Sequence, residues 1–142
     1  MRNLIISIVF SLVSLSIIAQ GCLPEGITFT TQTQIDSFAI IYPNCTEIEG
    51  NVVIGSTYGT NISNLNGLEQ IESIGGNLLI YNNNLLESLL GLHELTYVGG
   101  DLFIGKMGGD GPEGNEILEN INLINLTGVG GIFQIMKNPS LV

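Results

Sequence analysis

Hydrophobic and polar residues follow one repeated pattern along the chain after Cys45. Four short segments each place apolar side chains at alternate positions after a glycine, and they span residues 50–54, 76–80, 100–104 and 131–135. Alternation of this kind predicts β-strands with one buried face. The segments recur roughly every 24 to 31 residues, a period typical of leucine-rich, parallel β-solenoid proteins. The pattern therefore predicts a β-rich solenoid in which each copy adds one turn.

Aliphatic residues also recur at fixed offsets before the glycine pairs. The positions are Leu68, Ile71 and Ile74, then Leu92, Leu95 and Val98, then Leu123, Leu126 and Val129. One short strand cannot bury its inward side chains alone, whereas stacked copies form a continuous core. We expect the paired glycines to supply the positive φ of a corner. We expect Asn83 and Asn138, which follow two of the strands, to adopt the left-handed conformation and bond their own backbone.

The pattern changes before Cys45, where a helix is predicted. Thr31 and Gln34 have the spacing of a capping box. The apolar residues that follow at spacings of three and four form one helical face: Ile35, Phe38, Ala39 and Tyr42. Pro43 and Asn44 end the segment. We therefore expect one short capping helix, over residues 33–42, ahead of the repeats.

The first residues have the parts of a secretory signal peptide, with Arg2 ahead of an apolar run and small residues at its end. The run is short for a membrane span. We assign residues 1–21 to the signal peptide and residues 22–142 to the mature domain. Cleavage after Ala19 or Gln20 is also compatible with the sequence.

Cys22 has two interpretations. It can pair with Cys45, the other cysteine of the chain, in an oxidising compartment. Alternatively, it is the lipidated first residue of a bacterial lipoprotein, which would anchor the protein to a membrane. Ala19 stands where lipoprotein sites favour a larger aliphatic residue, so the sequence favours the disulfide.

Residues 45–54, Cys-Thr-Glu-Ile-Glu-Gly-Asn-Val-Val-Ile, closely resemble the opening of receptor L domains. These are the leucine-rich, right-handed β-solenoid domains of the insulin and epidermal growth factor receptors, with relatives among secreted bacterial proteins. The order of Cys22, the predicted helix and Cys45 matches that family, in which two such cysteines flank a short helix. The resemblance implies a right-handed parallel β-helix of the L-domain type, used for recognition and not for catalysis.

The style of the repeats looks like that of secreted Bacteroidota proteins. Residues 138–141 match residues 83–86 at the start of another turn, so we expect the domain to be incomplete at its C-terminus. Residues 105–116 lengthen one copy and are expected to form a protruding loop.

Charge and composition exclude several functions. The chain has 13 acidic residues against 3 Lys and Arg, too few cations to neutralise the phosphates of a nucleic acid or an anionic membrane. The single histidine, His93, is expected to face solvent without a catalytic role. Asp110, Glu113 and Glu116 could offer oxygen atoms to calcium, but their spacing matches no EF-hand loop. We therefore expect a protein that is not an enzyme and has no cofactor and no metal.

The outward face of the predicted sheet is the remaining candidate site. Because side chains alternate along a strand, Asn51, Asn77, Asp101 and Ile132 are expected to point outward with the six residues of the candidate binding face. Those six are Val53, Leu79, Tyr81, Phe103, Gln134 and Met136. The set is apolar for a solvated surface, which indicates an interaction site. The ligand would be a protein or a polysaccharide, and the alternative is a structural spacer in a larger surface protein.

Overall fold

The structure is a computed structural model that describes residues 20–105 and 113–142. Residues 1–19 of the predicted signal peptide, and Asp110 with most of the predicted protruding loop, lie outside the described residues. The described strands are β1 (Gln20–Cys22), β2 (Ile27–Phe29), β3 (Cys45–Ile48), β4 (Val52–Ile54), β5 (Ser73–Ile74), β6 (Leu78–Ile80), β7 (Tyr97–Val98), β8 (Leu102–Gly105), β9 (Gly128–Val129) and β10 (Phe133–Met136). Helix α1 spans Gln32–Ile41.

The strands form two parallel sheets, between which the chain passes alternately. Sheet A has the order β1-β3-β5-β7-β9, and sheet B has the order β10-β8-β6-β4-β2. The four segments with alternating apolar residues form β4, β6, β8 and β10, as predicted, and β8 and β10 each end one residue beyond their segments. Sheet A was not predicted: its strands β3, β5, β7 and β9 lie just before the glycines and end at Ile48, Ile74, Val98 and Val129. The β-rich, parallel architecture with one helix agrees with the predicted class, while closure and handedness of the solenoid stay predictions.

The inward residues of sheet B form the centre of the core. Val52, Leu78 and Leu102 lie side by side in register, and Ile54, Ile80 and Ile104 form the adjacent row. None of the six is more than 2% exposed. Burial of one such side chain contributes about 1.5–3 kcal/mol, so these rows supply much of the force that holds the strands together.

Helix α1 closes the core at the β2 end. The capping box is present as predicted: the Gln34 N–H donates a hydrogen bond to the Thr31 side chain, and the Thr31 N–H donates one to the Gln34 side chain. Ile35 and Phe38 are buried, and the Phe38 ring meets Phe29 of β2 edge-on at 5.7 Å between centroids. Ala39 was expected on the buried face but is exposed. The helix therefore covers the core through two side chains, with Tyr42 packed at its margin.

The paired glycines have a different role from the one expected. Positive φ occurs at Gly26, Gly55, Gly59 and Gly105 among the described glycines, and at none of the pairs. A methyl group on Gly75 would lie 2.6 Å from the carbonyl oxygen of Glu49 in the preceding turn. Gly99 meets the carbonyl oxygen of Gly75 in the same way. The pairs are needed because successive turns bring their backbones too close for a side chain.

Gly91→Ala is expected to lower the free energy of unfolding by about 1–3 kcal/mol, as overpacking does in a tight core. Gly91 is buried in the 3-10 helix Leu90–Leu92, where a methyl group would collide with the carbonyl group of Leu65. Urea unfolding measures the change. Gly128→Ala is the control, because its methyl group would meet only the ring edge of Tyr97, at 3.0 Å. Equal losses from both substitutions would contradict the explanation.

A column of asparagine side chains holds the turns that leave sheet B. Each Nδ2 donates to the carbonyl oxygen of an isoleucine in the sheet B strand one turn earlier: Asn83 to Ile54 of β4 at 2.9 Å, Asn115 to Ile80 of β6 at 3.1 Å, and Asn138 to Ile104 of β8 at 3.0 Å. The Asn115 and Asn138 Oδ1 atoms accept from the backbone N–H of Asn83 and of Asn115. We call these three residues the asparagine column. It joins residues far apart in sequence.

The expectation for Asn83 and Asn138 was wrong about the conformation of both residues, and the Asn83 side chain bonds the neighbouring turns instead of its own backbone. The left-handed residues are the ones directly before them, Asn82 at φ 53° and Lys137 at φ 59°. Because the preceding residue makes the bend, the Asn83 and Asn138 side chains are free to reach the neighbouring turn.

A disulfide bond joins Cys22 to Cys45 and ties β1 to β3. Their Cα atoms are 5.7 Å apart, within the usual range for a disulfide. The Cys22 sulfur is therefore engaged and cannot carry a lipid in this state. The predicted pairing is confirmed.

Candidate recognition surface

The outward side chains of sheet B form one straight row. The strand register aligns Thr28, Val53, Leu79, Phe103 and Gln134 across five strands. Parallel strands lie about 4.8 Å apart, so the row extends for roughly 19 Å. We call its three central members, Val53, Leu79 and Phe103, the apolar row.

Each side chain of the apolar row is partly exposed between two buried neighbours. The alternation arises because successive side chains point to opposite faces of a strand. The backbone hydrogen bonds of the sheet hold the three residues in register, so the strip needs no rearrangement to present its apolar surface. Three contiguous apolar side chains without a charge among them are suited to contact an apolar or aromatic ligand surface.

Polar and aromatic residues flank the apolar row. Tyr81 directly follows β6 and is partly exposed; its ring lies beside Gly55, 3.2 Å from where a methyl group on that glycine would stand. Gln134 closes the row at one end and is also partly exposed, and Met136 is 37% exposed in the same strand. The structure thus brings all six predicted residues to the outer side or the end of one sheet.

Three further residues expected on this face have a structural role. The Asn51 Oδ1 accepts from the N–H of Asn77 at 2.8 Å, and the Asn77 Oδ1 accepts from the N–H of Asp101 at 2.6 Å. The Asp101 Oδ1 accepts from the N–H of Ile132 at 2.7 Å. These side chains form a ladder along the N-terminal ends of the sheet B strands. Each of the three side chains uses its Oδ1 in this ladder, so we do not count them among the ligand-binding groups.

The outward row of sheet A differs in chemistry. Its register aligns Glu47, Ser73, Tyr97 and Gly128. This row contains a carboxylate, a hydroxyl group and a glycine around its one large side chain. The two sheets are built alike, so the contrast shows that the apolar row is a property of sheet B and not of the architecture.

Tyr58 is a candidate that the sequence analysis missed. It lies in the turn after β4 and is 98% exposed. The Asn82 Nδ2 donates to the carbonyl oxygen of Ser56 at 2.8 Å and so holds this turn. Tyr58 follows β4 and Tyr81 follows β6. Because these parallel strands are neighbours, both tyrosines lie beyond the C-terminal ends of the sheet B strands. An aromatic residue in the polar stretch Ser-Thr-Tyr-Gly-Thr was the signal that could have found it.

The groups that could perform chemistry are dispersed. The His93 Nδ1 lies 2.7 Å from the carbonyl oxygen of Leu90, and its Nε2 lies 3.3 Å from the Glu94 carboxylate. Glu113 and Glu116 border an open depression of about 570 Å³ together with Lys137, Asn138 and Pro139. Over residues 20–105 and 113–142, no three His, Cys, Asp or Glu residues are grouped as metal ligands would be. In the same ranges, no helix has the length and apolar character needed to cross a membrane.

Comparison with known proteins identifies the family. The family model for the receptor L domain matches residues 44–142, which include strands β3 to β10 and every residue of the apolar row. Neither the curated proteins nor the solved structures compared with this chain give a match. Receptor L domains are extracellular recognition modules without catalytic activity. With its two parallel sheets and a match over most of its length, this chain belongs to the receptor L-domain family.

Proposed function

We propose that this protein is a secreted or cell-surface recognition module that binds a protein or a glycan through the outer face of sheet B. The observation that carries the proposal is the apolar row, a strip of Val53, Leu79 and Phe103 held in register by the sheet. The module is not an enzyme in this proposal, and it binds no nucleic acid. In this proposal the module is a right-handed solenoid, and each of three successive turns contributes one residue to the strip.

The chemistry of the face is compatible with both ligand classes. Aliphatic and aromatic side chains bury against apolar protein surface, and aromatic residues dominate the energetics of many interfaces. Tyr81 and Tyr58 carry hydroxyl groups beside their rings, so they can also stack on a sugar ring and bond its hydroxyls. The absence of cations in the row disfavours acidic polysaccharides. A neutral glycan or an apolar protein surface fits best.

Leu79→Ser combined with Phe103→Ser is expected to weaken ligand binding by at least about tenfold, because loss of a central anchor removes about 2 kcal/mol or more. The measurement is binding of the wild-type and variant proteins to one panel of neutral glycans and extracellular proteins. Both substituted residues are partly exposed, so circular dichroism should show an unchanged fold.

The matched control is Leu85→Ser combined with Leu90→Ser. Both leucines are 53% exposed and lie in the connection between β6 and β7, away from the sheet B strands. The control is expected to bind as the wild type does. A ligand that is lost from the control as readily as from the sheet B variant would contradict the proposal.

A structural spacer is the second candidate function. The regular backbone bonding of two parallel sheets favours it, because a stiff stacked domain can separate other domains without binding anything. The same panel distinguishes the two: a spacer would bind no member of it, and the sheet B substitutions would have no effect.

Export by a cleaved signal peptide is part of the proposal. The disulfide between Cys22 and Cys45 supports an oxidising compartment. Gln20 and Gly21 pair with β3, and the Cys22 carbonyl oxygen accepts from the N–H of Glu49 at 2.9 Å. Among the three compatible cleavage points, the one after Ala19 would keep all of β1 in the mature protein.

A further inference from the structure

Three aromatic residues from successive turns lie obliquely across sheet B. Phe103 is in the middle of β8, Tyr81 directly follows β6, and Tyr58 lies in the turn after β4. Because these strands are neighbours in the order β8-β6-β4, each residue lies one strand further across the sheet and further along the strand direction. With strands about 4.8 Å apart and a rise of about 3.3 Å per residue, the Cα atoms of Phe103 and Tyr81 are roughly 8 Å apart. We call these three residues the aromatic diagonal.

The turn that carries Tyr58 is held in place by hydrogen bonds. The Gly59 N–H donates to the Ser56 carbonyl oxygen at 3.1 Å, and the Tyr58 N–H donates to the Ser56 Oγ at 3.2 Å. The Asn82 Nδ2 donates to the same carbonyl oxygen at 2.8 Å, and Asn82 is itself 8% exposed. Tyr58 therefore presents an exposed ring on a backbone that is already ordered, which reduces the entropy lost when a ligand binds.

The Tyr81 ring lies beside the start of the same turn. Its Cδ2 atom is 3.2 Å from the position of a methyl group on Gly55, and the same methyl group would collide with the Tyr81 carbonyl oxygen. Gly55 directly precedes Ser56. The two tyrosines are thus carried by backbone segments that are in direct contact, so they belong to one surface.

The extent of the apolar row favours a small ligand. Val53 and Phe103, its outer members, are two strand spacings apart, or roughly 10 Å. The row is bounded in register by Thr28 and Gln134, so polar side chains end it on both sides. A standard protein interface buries about 800 Å² on each partner, and its anchors fill pockets of the other surface. A strip of three partly exposed side chains supplies neither that area nor a projecting anchor.

Charge selects among small ligands that have a flat face. The apolar row and the aromatic diagonal contain no charged residue, and the whole chain has a formal net charge of −10. The bases of a single-stranded nucleic acid also stack on aromatic side chains, but each nucleotide brings a phosphate that this chain would repel. An acidic polysaccharide is disfavoured for the same reason. A neutral sugar ring offers an apolar C–H face for stacking and hydroxyl groups at its rim for the tyrosine hydroxyls.

We propose that the ligand of sheet B is a neutral oligosaccharide whose sugar rings stack along the aromatic diagonal, from Phe103 past Tyr81 to Tyr58. This inference rests on the proposed function, because it names the ligand class of the same face. Leu79 and Val53 contact ring carbons beside the diagonal, and Tyr58 stacks on the terminal ring. Affinity therefore increases from a monosaccharide to an oligosaccharide that is long enough to reach Tyr58.

Titration calorimetry with defined oligosaccharides tests the proposal. The probes are neutral oligosaccharides of glucose, mannose, xylose and N-acetylglucosamine, with oligogalacturonides as the acidic counterpart. The expected result is binding of at least one neutral series and not of the acidic one. Tyr58→Ala is expected to weaken that binding by about fivefold to tenfold, because one aromatic contact is lost, whereas Tyr58→Phe keeps the ring and most of the affinity. Tyr97→Ala is the matched control, since Tyr97 is a 47% exposed tyrosine of sheet A.

Fluorescence locates the sugar on the diagonal. The sequence contains no tryptophan, so Tyr58→Trp introduces a single indole whose emission reports its surroundings. We expect a saturable blue shift of this emission when the neutral oligosaccharide binds, because stacking removes water from the ring. Tyr97→Trp is the control and is expected to show no shift.

The outcomes separate this inference from the proposed function. Binding of an extracellular protein that the Leu79→Ser and Phe103→Ser substitutions abolish, with no binding of any oligosaccharide, would overturn the inference and leave the proposed function intact. Oligosaccharide binding that Tyr58→Ala leaves unchanged would also overturn the inference. Failure to bind any protein or oligosaccharide probe would overturn both.

Discussion

Asn115→Ala is expected to lower the free energy of unfolding by about 2–4 kcal/mol, because the substitution leaves the buried N–H of Asn83 without its acceptor and removes a hydrogen bond from the carbonyl oxygen of Ile80. The Asn115 Nδ2 donates to the carbonyl oxygen of Ile80 at 3.1 Å, and its Oδ1 accepts from the N–H of Asn83 at 3.1 Å. Asn115 and Asn83 are both fully buried. Water cannot replace the lost bonds without opening the turn.

Asn84→Ala is the matched control for the asparagine column. Asn84 is exposed and directly follows a member of the column. Its replacement is expected to change stability by less than about 0.5 kcal/mol, as surface substitutions usually do. Chemical denaturation of the three proteins measures both effects. Losses of similar size from Asn115→Ala and Asn84→Ala would show that the column does not hold the turns.

Removing the disulfide with Cys22→Ala and Cys45→Ala is expected to lower the free energy of unfolding by about 3 kcal/mol in the chain-entropy model. The bond closes a loop with a sequence separation of 23 residues. The same loop contains α1, which covers the core at the β2 end. Cys45 is 3% exposed, so alanine also leaves a small gap there.

The disulfide prediction is measured by thermal or urea unfolding with and without a reductant. The reductant should destabilise the wild type and leave the double alanine variant unchanged. A wild type that is equally stable in both conditions would contradict a stabilising role for the bond.

The strands of sheet B could be predicted because their signal is local. Val52 and Ile54 alternate with Asn51 and Val53, and this alternation alone separates the inward residues from the outward ones. The strands of sheet A could not be predicted in this way. β5 and β7 have two residues each, too few to show an alternation. In the sequence, these strands are marked only by the aliphatic residue before each glycine pair, which is Ile74 in β5 and Val98 in β7.

The roles of individual turn residues required the structure. Gly75 and Gly99 were recognised as special positions, but their reason lies in the backbone of a turn 24 to 26 residues earlier. Asn83 comes soon after Ile80, whereas the lengthened copy of the repeat separates Asn115 from Ile104. This irregular spacing hid the place of Asn115 in the asparagine column. Contacts between turns depend on register, which a single sequence does not reveal.

The apolar residues of the candidate face could be predicted from the sequence, but the full set of residues on that face could not. Val53, Leu79 and Phe103 follow from the alternation, and the register shows that they are neighbours. The same alternation included Asn51 and Asn77, whose acceptors are used in the ladder. Tyr58 was missed because it lies in a turn and not in a strand. Strand periodicity carries no information about such positions.

Hydroxyl-radical footprinting of the protein with a bound ligand from the panel tests the recognition surface most directly. We expect reduced oxidation of Leu79, Tyr81 and Phe103 in the complex, while Leu90 and Tyr97, which are outside sheet B, stay as reactive as in the free protein. Protection of Leu90 and Tyr97 with no change at Leu79, Tyr81 and Phe103 would contradict this expectation and move the binding site away from sheet B.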